Sequence, residues 1–325
     1  MDRVVKLIKE QYAIECVEMT QQTGGWSALA YKLSDGFKYY FLKVYEKNRA
    51  STPKLTALID VYVPIILWLN KNTELSGKLP IPILTKDGEA KCEDEYGIYL
   101  LYQYINGETI GSKELTIEQI GQLADIMAIL HSYGNEIPVS TSAIREDYNL
   151  PFLYQLQNIL SEPHSDIPDD VKTLLDKYRQ SILKMIEKVR KLSETLRLSK
   201  LRMVLCHTDI HPWNLMQTSC GLILIDWEGL KLATPEADLA LLSEEPHYEK
   251  FLESYRKNIG NDIEIHPDIM RFYKLRRKLE DVWEFLEQLL FDEQETKEKM
   301  KTLKYLEREL IDIDNNLLCE EVLNL

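Results

Sequence analysis

Nowhere in this sequence of 325 residues do about eighteen apolar residues follow one another, the length an apolar helix needs to cross a bilayer. The opening MDRVVKLIKEQYAIE is a charged helix start and lacks the apolar stretch of a secretory leader. A soluble, cytoplasmic chain with no membrane partner is expected. Cysteine is sparse as well. Cys16, Cys92, Cys206, Cys220 and Cys319 stand singly, without CxxC spacing, which excludes a disulfide scaffold and implies reduced thiols. Positive charge is the third shortage: 39 Lys and Arg against 53 Asp and Glu leave a net charge of −14. A nucleic-acid backbone would be repelled over most of such a surface, whereas a cationic partner is favoured. Repeats and low-complexity segments are missing too. What remains is a globular chain, 45% hydrophobic, able to bury a sizeable core in one large domain or in two lobes sharing a cleft.

The first hundred residues predict strands around one helix. Ile14 to Met19, Ala28 to Leu33 and Phe37 to Tyr45 are short β-rich runs, and Leu84 to Cys92 and Tyr96 to Tyr104 are two more. Between them, Thr52 and Pro53 open a helix with apolar residues at Leu55, Leu58, Ile59, Tyr62, Ile66 and Leu69, which Pro64 should kink. Asn106-Gly107 punctuates the end of the sheet. Helical patterns dominate afterwards: Thr116 with Gln119 forms a capping box, Val171 to Leu198 is a long helix, Gly260 ends one helix and Pro267 opens the next. Met203 to Cys206 and Leu222 to Ile225 are brief strands bracketing a polar loop.

That loop holds the chemistry. In Cys206-His207-Thr208-Asp209-Ile210-His211-Pro212-Trp213-Asn214, Asp209 and Asn214 are five residues apart, and Asp226 ends the next strand. Phosphoryl transfer needs a carboxylate to orient and deprotonate an attacking hydroxyl, plus oxygen ligands that hold Mg²⁺ against the nucleotide phosphates. A hairpin would bring all three residues to one point. The alternative is a hairpin whose polar residues merely cap its turn. Gly24 and Gly25, between the first two strands, offer either a turn whose N–H groups approach phosphates or an ordinary hairpin.

The stretches Val204 to Asn214, Ile225-Asp226-Trp227, Pro235-Glu-Ala-Asp238 and Arg276-Arg277-Lys-Leu-Glu280-Asp281 resemble the aminoglycoside phosphotransferase family, most closely its spectinomycin-modifying members. The resemblance spans nearly the whole chain. It implies an α+β, bilobal protein-kinase-like fold: residues 1–105 a nucleotide-binding lobe with an antiparallel sheet, residues 106–325 a helical lobe with the catalytic loop and acceptor site. It further implies Asp209 as catalytic base, Asn214 and Asp226 as Mg²⁺ ligands, Asp238 as a structural aspartate, Lys43 as the phosphate-binding lysine, and the backbone of Gln103 and Ile105 as the adenine contact. The cofactors would be ATP (or GTP) and Mg²⁺, and the acceptor an aminoglycoside or aminocyclitol such as spectinomycin. A metabolic kinase of the same architecture, acting on choline, a sugar or an amino alcohol, has the same motifs, and a catalytically silent nucleotide-binding module should have lost one of the three acidic or amide groups.

Some residues depart from the protein-kinase pattern. The only acid between Thr52 and Asn70 is Asp60, so Lys43 is paired either with Asp60 or with an acid elsewhere. Thr208 replaces the arginine before the catalytic aspartate, and the nine positions from Asp226 to Pro235 leave no room for a peptide-presenting segment. A small acceptor is therefore expected. Glu280, Asp281, Glu284 and Glu287 could meet its ammonium groups or could belong to a solvated helix face. His207, Asp209 and His211 also permit a metal-hydrolase reading, which the alternation of side chains disfavours; His207 fits a buried residue that orients the loop.

Overall fold

Helical spacing of Val4, Leu7, Ile8 and Tyr12 puts one face of α1 (Asp2–Tyr12) into the core. The computed structural model describes residues 2–22, 28–161, 167–260 and 263–323. Gly24 and Gly25 therefore lie outside the described residues. Strands β1 (Glu18–Gln22), β2 (Leu29–Ser34), β3 (Tyr39–Glu46), β4 (Pro82–Ile83), β5 (Cys92–Glu93) and β6 (Gly97–Gln103) form one antiparallel sheet, ordered β1-β2-β3-β6-β4 with β5 also on β6. Leu33, Leu42, Val44, Tyr99 and Leu101 bury their side chains in a cluster with α1. Strand β3 is central, with Lys43 opposite Ala30 on one side and Leu100 on the other.

Of the run Leu84 to Cys92, only Cys92 lies in a strand. Thr85 accepts from Gly88 N–H and donates its own N–H to Glu89 O, and Gly88 sits at φ +86°, so a turn replaces extended pairing there. The helix expected from Thr52 also differs. It is two helices, α2 (Thr52–Thr56) and α3 (Ile59–Asn72), and the break falls at Ala57-Leu58 while Pro64 lies inside α3. The stretch Thr52–Asn72 is apolar and long enough to span a membrane, yet Ile59, Tyr62, Val63, Ile65, Ile66 and Leu69 on it are fully or almost fully buried in the fold.

After β7 (Gly107–Thr109), α4 (Ile117–Leu130) begins at the expected capping box: Thr116 Oγ1 accepts from Gln119 N–H at 3.2 Å and Gln119 Oε1 accepts from Thr116 N–H at 2.9 Å. Strand β8 (Val204–Cys206) enters the polar loop, but the strands bracketing that loop do not pair with each other. β9 (Leu215–Thr218) pairs with β7 and with β10 (Gly221–Leu224), whereas β8 pairs with β11 (Lys231–Ala233).

The chain divides into two compact units. One comprises Met1–Asn48, Thr52–Arg145 and Arg202–Glu264, and holds every strand among the described residues; the other comprises Arg49–Ser51, Glu146–Leu201 and Ile265–Leu325. The second is built on α5 (Pro151–Ser161), α6 (Asp169–Arg197), α9 (Pro267–Phe291) and α10 (Thr296–Leu323), while α7 (Glu236–Leu242) and α8 (Tyr248–Ile259) belong to the first. Leu279, Trp283 and Leu286 are buried on α9 as their spacing predicts. Within the second unit Arg276 reaches Glu146 at 2.7 Å and Glu280 at 2.9 Å, and Glu146 is itself buried.

Candidate active site

Three buried residues of β8 deliver the chain to His207, which has no exposed surface. His207 Nε2 is 2.9 Å from Ile225 O, so this nitrogen carries the proton, and Nδ1 accepts from Asp209 N–H at 3.3 Å. The imidazole thus ties the two segments that hold the polar residues, with the Trp227 ring edge-on to it at 4.9 Å. Ile225 N–H donates to Asn214 O at 2.9 Å, which continues the β9–β10 hairpin by one rung and sets Asp226 beside Asn214.

Asp238 fixes the loop from below. It accepts from Thr208 N–H at 2.5 Å and from His207 N–H at 3.0 Å, and faces His131 Nε2 at 2.9 Å. His131 Nδ1 in turn lies 2.7 Å from the Tyr255 hydroxyl. Thr208, at φ +68°, is in a strained left-handed conformation held by these bonds and by its hydroxyl, which donates to Gly229 O at 2.7 Å. Cys206, His131 and Asp238 are close enough together to hold a cation, but Asp238 already receives two backbone N–H groups and the imidazole, so the group is a hydrogen-bonded scaffold. No local pattern marks His131 or Tyr255, because His131 is over a hundred residues in the chain from both of its partners, Tyr255 and Asp238.

With the loop so held, Asn214 Nδ2 donates to Asp209 Oδ2 at 2.9 Å and to Asp209 O at 2.8 Å. The Asp209 carboxylate is about one-third exposed, with His211 Nε2 at 3.5 Å. Because the Asn214 amide spends its nitrogen on Asp209, its carbonyl oxygen is the atom left to bind a cation, and with the Asp226 carboxylate it gives an oxygen-donor set of the kind a hard divalent ion takes. The site's residues fit a magnesium ion in that chemical sense.

Lys43 Nζ lies 2.7 Å from Asp226 Oδ1 and 2.5 Å from Glu228 Oε1. Its side chain is 11% exposed, so the ammonium depends on these carboxylates. Burial works against its charge, but Asp226 and Glu228 outweigh burial and hold the lysine well above its ordinary pKa. Glu228 also accepts the Tyr45 hydroxyl, whose own pKa is pushed well up by burial and then by that carboxylate. Asp60 is not the partner of Lys43. It stands on the exposed side of α3, ion-paired with Lys91. The signal for Glu228 was its place two residues after Asp226, where the tight turn from Asp226 at φ +66° returns the chain toward the lysine.

Gln103 ends β6 and its N–H is taken by Ile81 O at 2.9 Å; Ile105 follows two residues on, and among the described residues its N–H meets no backbone acceptor. Glu280 and Asp281 lie in the other compact unit, each ion-paired one helical turn back, Glu280 with Arg276 and Asp281 with Arg277 at 2.9 Å. Burial pushes the Asp281 carboxyl up to about 7, against the pull of Arg277.

Residues 18–273 match the phosphotransferase enzyme family as a whole. The chain belongs to that family. No curated relative matches it in sequence. Among solved structures, this phosphotransferase resembles a spectinomycin phosphotransferase in complex with ADP and spectinomycin, with a TM-score of 0.72 and 21% identity over 96% of each chain. It also resembles a microcompartment-associated aminopropanol kinase (TM-score 0.67, 12% identity, 98% of each chain). A third is the choline kinase of Streptococcus pneumoniae (TM-score 0.60, 19% identity, 96% of this chain and 98% of that one). At these identities the likeness is one of fold, and the fold is the kinase-like α+β one; the acceptors named are those of the three other proteins.

Proposed function

We propose that this phosphotransferase moves the γ-phosphate of ATP (or GTP) to a hydroxyl of a small cationic acceptor, with an aminocyclitol such as spectinomycin as first candidate. The observation that supports this best is the joining, in one compact unit, of a partly exposed Asp209 held by Asn214 with a buried Lys43 held by Asp226 and Glu228. Asp209 orients the hydroxyl and takes its proton; Asn214 keeps one carboxylate oxygen in place while the other faces the acceptor. Lys43 supplies positive charge to the phosphates. Asn214 and Asp226 would hold Mg²⁺, which when bound neutralises phosphate charge. The nucleotide is assigned to the sheet of residues 1–105, with adenine against the backbone of Gln103 and Ile105, and the acceptor to residues 106–325. Glu280 and Asp281 are the proposed receivers of its ammonium groups. A cytoplasmic location is part of the same reading.

Purified protein with Mg-ATP and a panel of aminocyclitols, aminoglycosides and amino alcohols tests the whole. Asp209→Ala should lower transfer by about a hundred-fold or more while ATP affinity, read by calorimetry, stays within a few-fold, because the base touches the hydroxyl and not the nucleotide. Near-normal turnover in the folded variant removes Asp209 from the role. Glu280→Gln should raise the acceptor KM about ten-fold at low salt and leave that of ATP alone. An unchanged acceptor KM returns Glu280 to its ion pair with Arg276.

A further inference from the structure

Two tryptophans flank the chemistry and they are treated oppositely. Trp227 is 1% exposed, whereas Trp213, between Pro212 and Asn214, is 63% exposed. Burial of apolar area therefore does not account for Trp213. Its surroundings nonetheless hold it in place. Asn214 N–H donates to His211 O at 2.9 Å, Gly111 N–H to Pro212 O at 3.1 Å, and Ile110 N–H to Leu215 O at 2.9 Å, so the turn is stitched to the strap that follows β7. Gly111, at φ +63°, lies beneath the six-membered ring of the indole. A Cβ there would stand 3.3 Å from Cζ3 and 3.4 Å from Cη2. Glycine thus lets the ring rest on bare backbone, propped on one side and open on the other.

This ring is one residue from Asn214 and four from Asp209. An exposed indole on the turn that carries Asp209 and Asn214, on a chain of net charge −14, attracts organic cations through the electron-rich ring face. Resting on the phosphotransferase reading above, we propose that Trp213 is the acceptor's platform: the substituted ammonium end of the substrate lies on the indole while its hydroxyl meets Asp209. The substrate class is then small alcohols bearing an alkylated or primary ammonium group, and neutral sugars are poor substrates.

Selective ¹⁵N labelling of indole gives five tryptophan side-chain signals, and Trp213→Phe identifies the one from position 213. Titration with tetramethylammonium should move that signal saturably, and the neutral tert-butanol should act about three- to thirty-fold more weakly, the range of a ring–cation contact. In kinetics with whichever of choline, aminopropanol and spectinomycin is phosphorylated, Trp213→Leu should raise the acceptor KM by the same factor. Trp213→Phe should keep it within about three-fold and both variants should keep the KM of ATP, since a phenyl ring retains the interaction. Thermal melts within a few degrees of the parent show the exposed position to be permissive. Equal response to cation and neutral probe overturns the proposal, as does an unchanged acceptor KM in Trp213→Leu or a rise in the KM of ATP instead, which would place the ring against the nucleotide. Absence of transfer to any acceptor defeats the phosphotransferase reading, and the indole titration still decides the role of Trp213 by itself.

Discussion

Lys43 is the residue on which the site's electrostatics turn. A buried ammonium is costly unless paired, and here it is balanced by Asp226 and by Glu228, whose other partner is the Tyr45 hydroxyl. Lys43→Met should therefore act twice. Two carboxylates lose their counter-charge, which should lower unfolding free energy by roughly 2–4 kcal/mol, and nucleotide affinity should fall by about ten-fold or more. Urea unfolding and ATP titration of the same sample check both; loss of affinity without loss of stability would mean that Glu228 is satisfied by Tyr45 alone.

Elements matter through what they anchor. Helix α7 contributes little length, yet its Asp238 holds the backbone of His207 and Thr208, so the strained φ of Thr208 and the aim of Asp209 both depend on it. Asp238→Ala strands two buried N–H groups and His131, and should cost about 2–5 kcal/mol. Turnover should drop more than the KM of ATP changes, with amide exchange of His207 and Thr208 accelerated; unchanged exchange there would show that the loop holds itself. What the sequence revealed follows the same division. The capping box at Thr116 and Gln119 and the stop at Gly260 were readable because partners three or four residues apart write their signal locally. The convergence of Asp209, Asn214 and Asp226 was legible from spacing, since the β9–β10 hairpin brings Asn214 and Asp226 together as expected, whereas the β8–β11 pairing and the His207 imidazole that also tie the segments were not. Lys43's partner was unreadable from its neighbourhood, since Glu228 is 185 residues away. Leu84 to Cys92 differs from its expected strand because the polar Thr85-Lys86-Asp87-Gly88 stretch closes a turn through Thr85 and Gly88.

At the scale of the molecule, the two compact units differ in how they meet charge. The first buries Lys43 against Asp226 and Glu228, whereas the second, whose described elements are helices, buries Arg276 between Glu146 and Glu280 and leaves Asp281 short of compensation. Its carboxyl is raised by burial to about 7, above the ordinary value, so the folded state favours the protonated form. This contribution is intact below about pH 4 and is lost as pH rises through 7. Asp281→Asn imitates the protonated acid. The variant should match the parent near pH 4 and exceed it at pH 8 by about 1–4 kcal/mol, measured as chemical unfolding across pH. A constant gap, or a parent more stable at pH 8, would give the ion pair with Arg277 the larger weight.

The order of the chain has a bearing on synthesis as well as on architecture. The path enters the second unit at Arg49, leaves at Thr52, returns at Glu146, leaves at Arg202 and enters again at Ile265, so neither unit is a continuous stretch. Lys43 emerges from the ribosome 183 residues ahead of Asp226 and 185 ahead of Glu228. At about 5–20 residues per second, the nascent sheet waits roughly ten to forty seconds for the carboxylates its central lysine requires. During that interval an ammonium sits in an apolar strand without an anion, and the sheet cannot settle into its final burial. A ribosome that stalls before position 226 therefore releases a polypeptide whose sheet is open to quality control, however complete its strands.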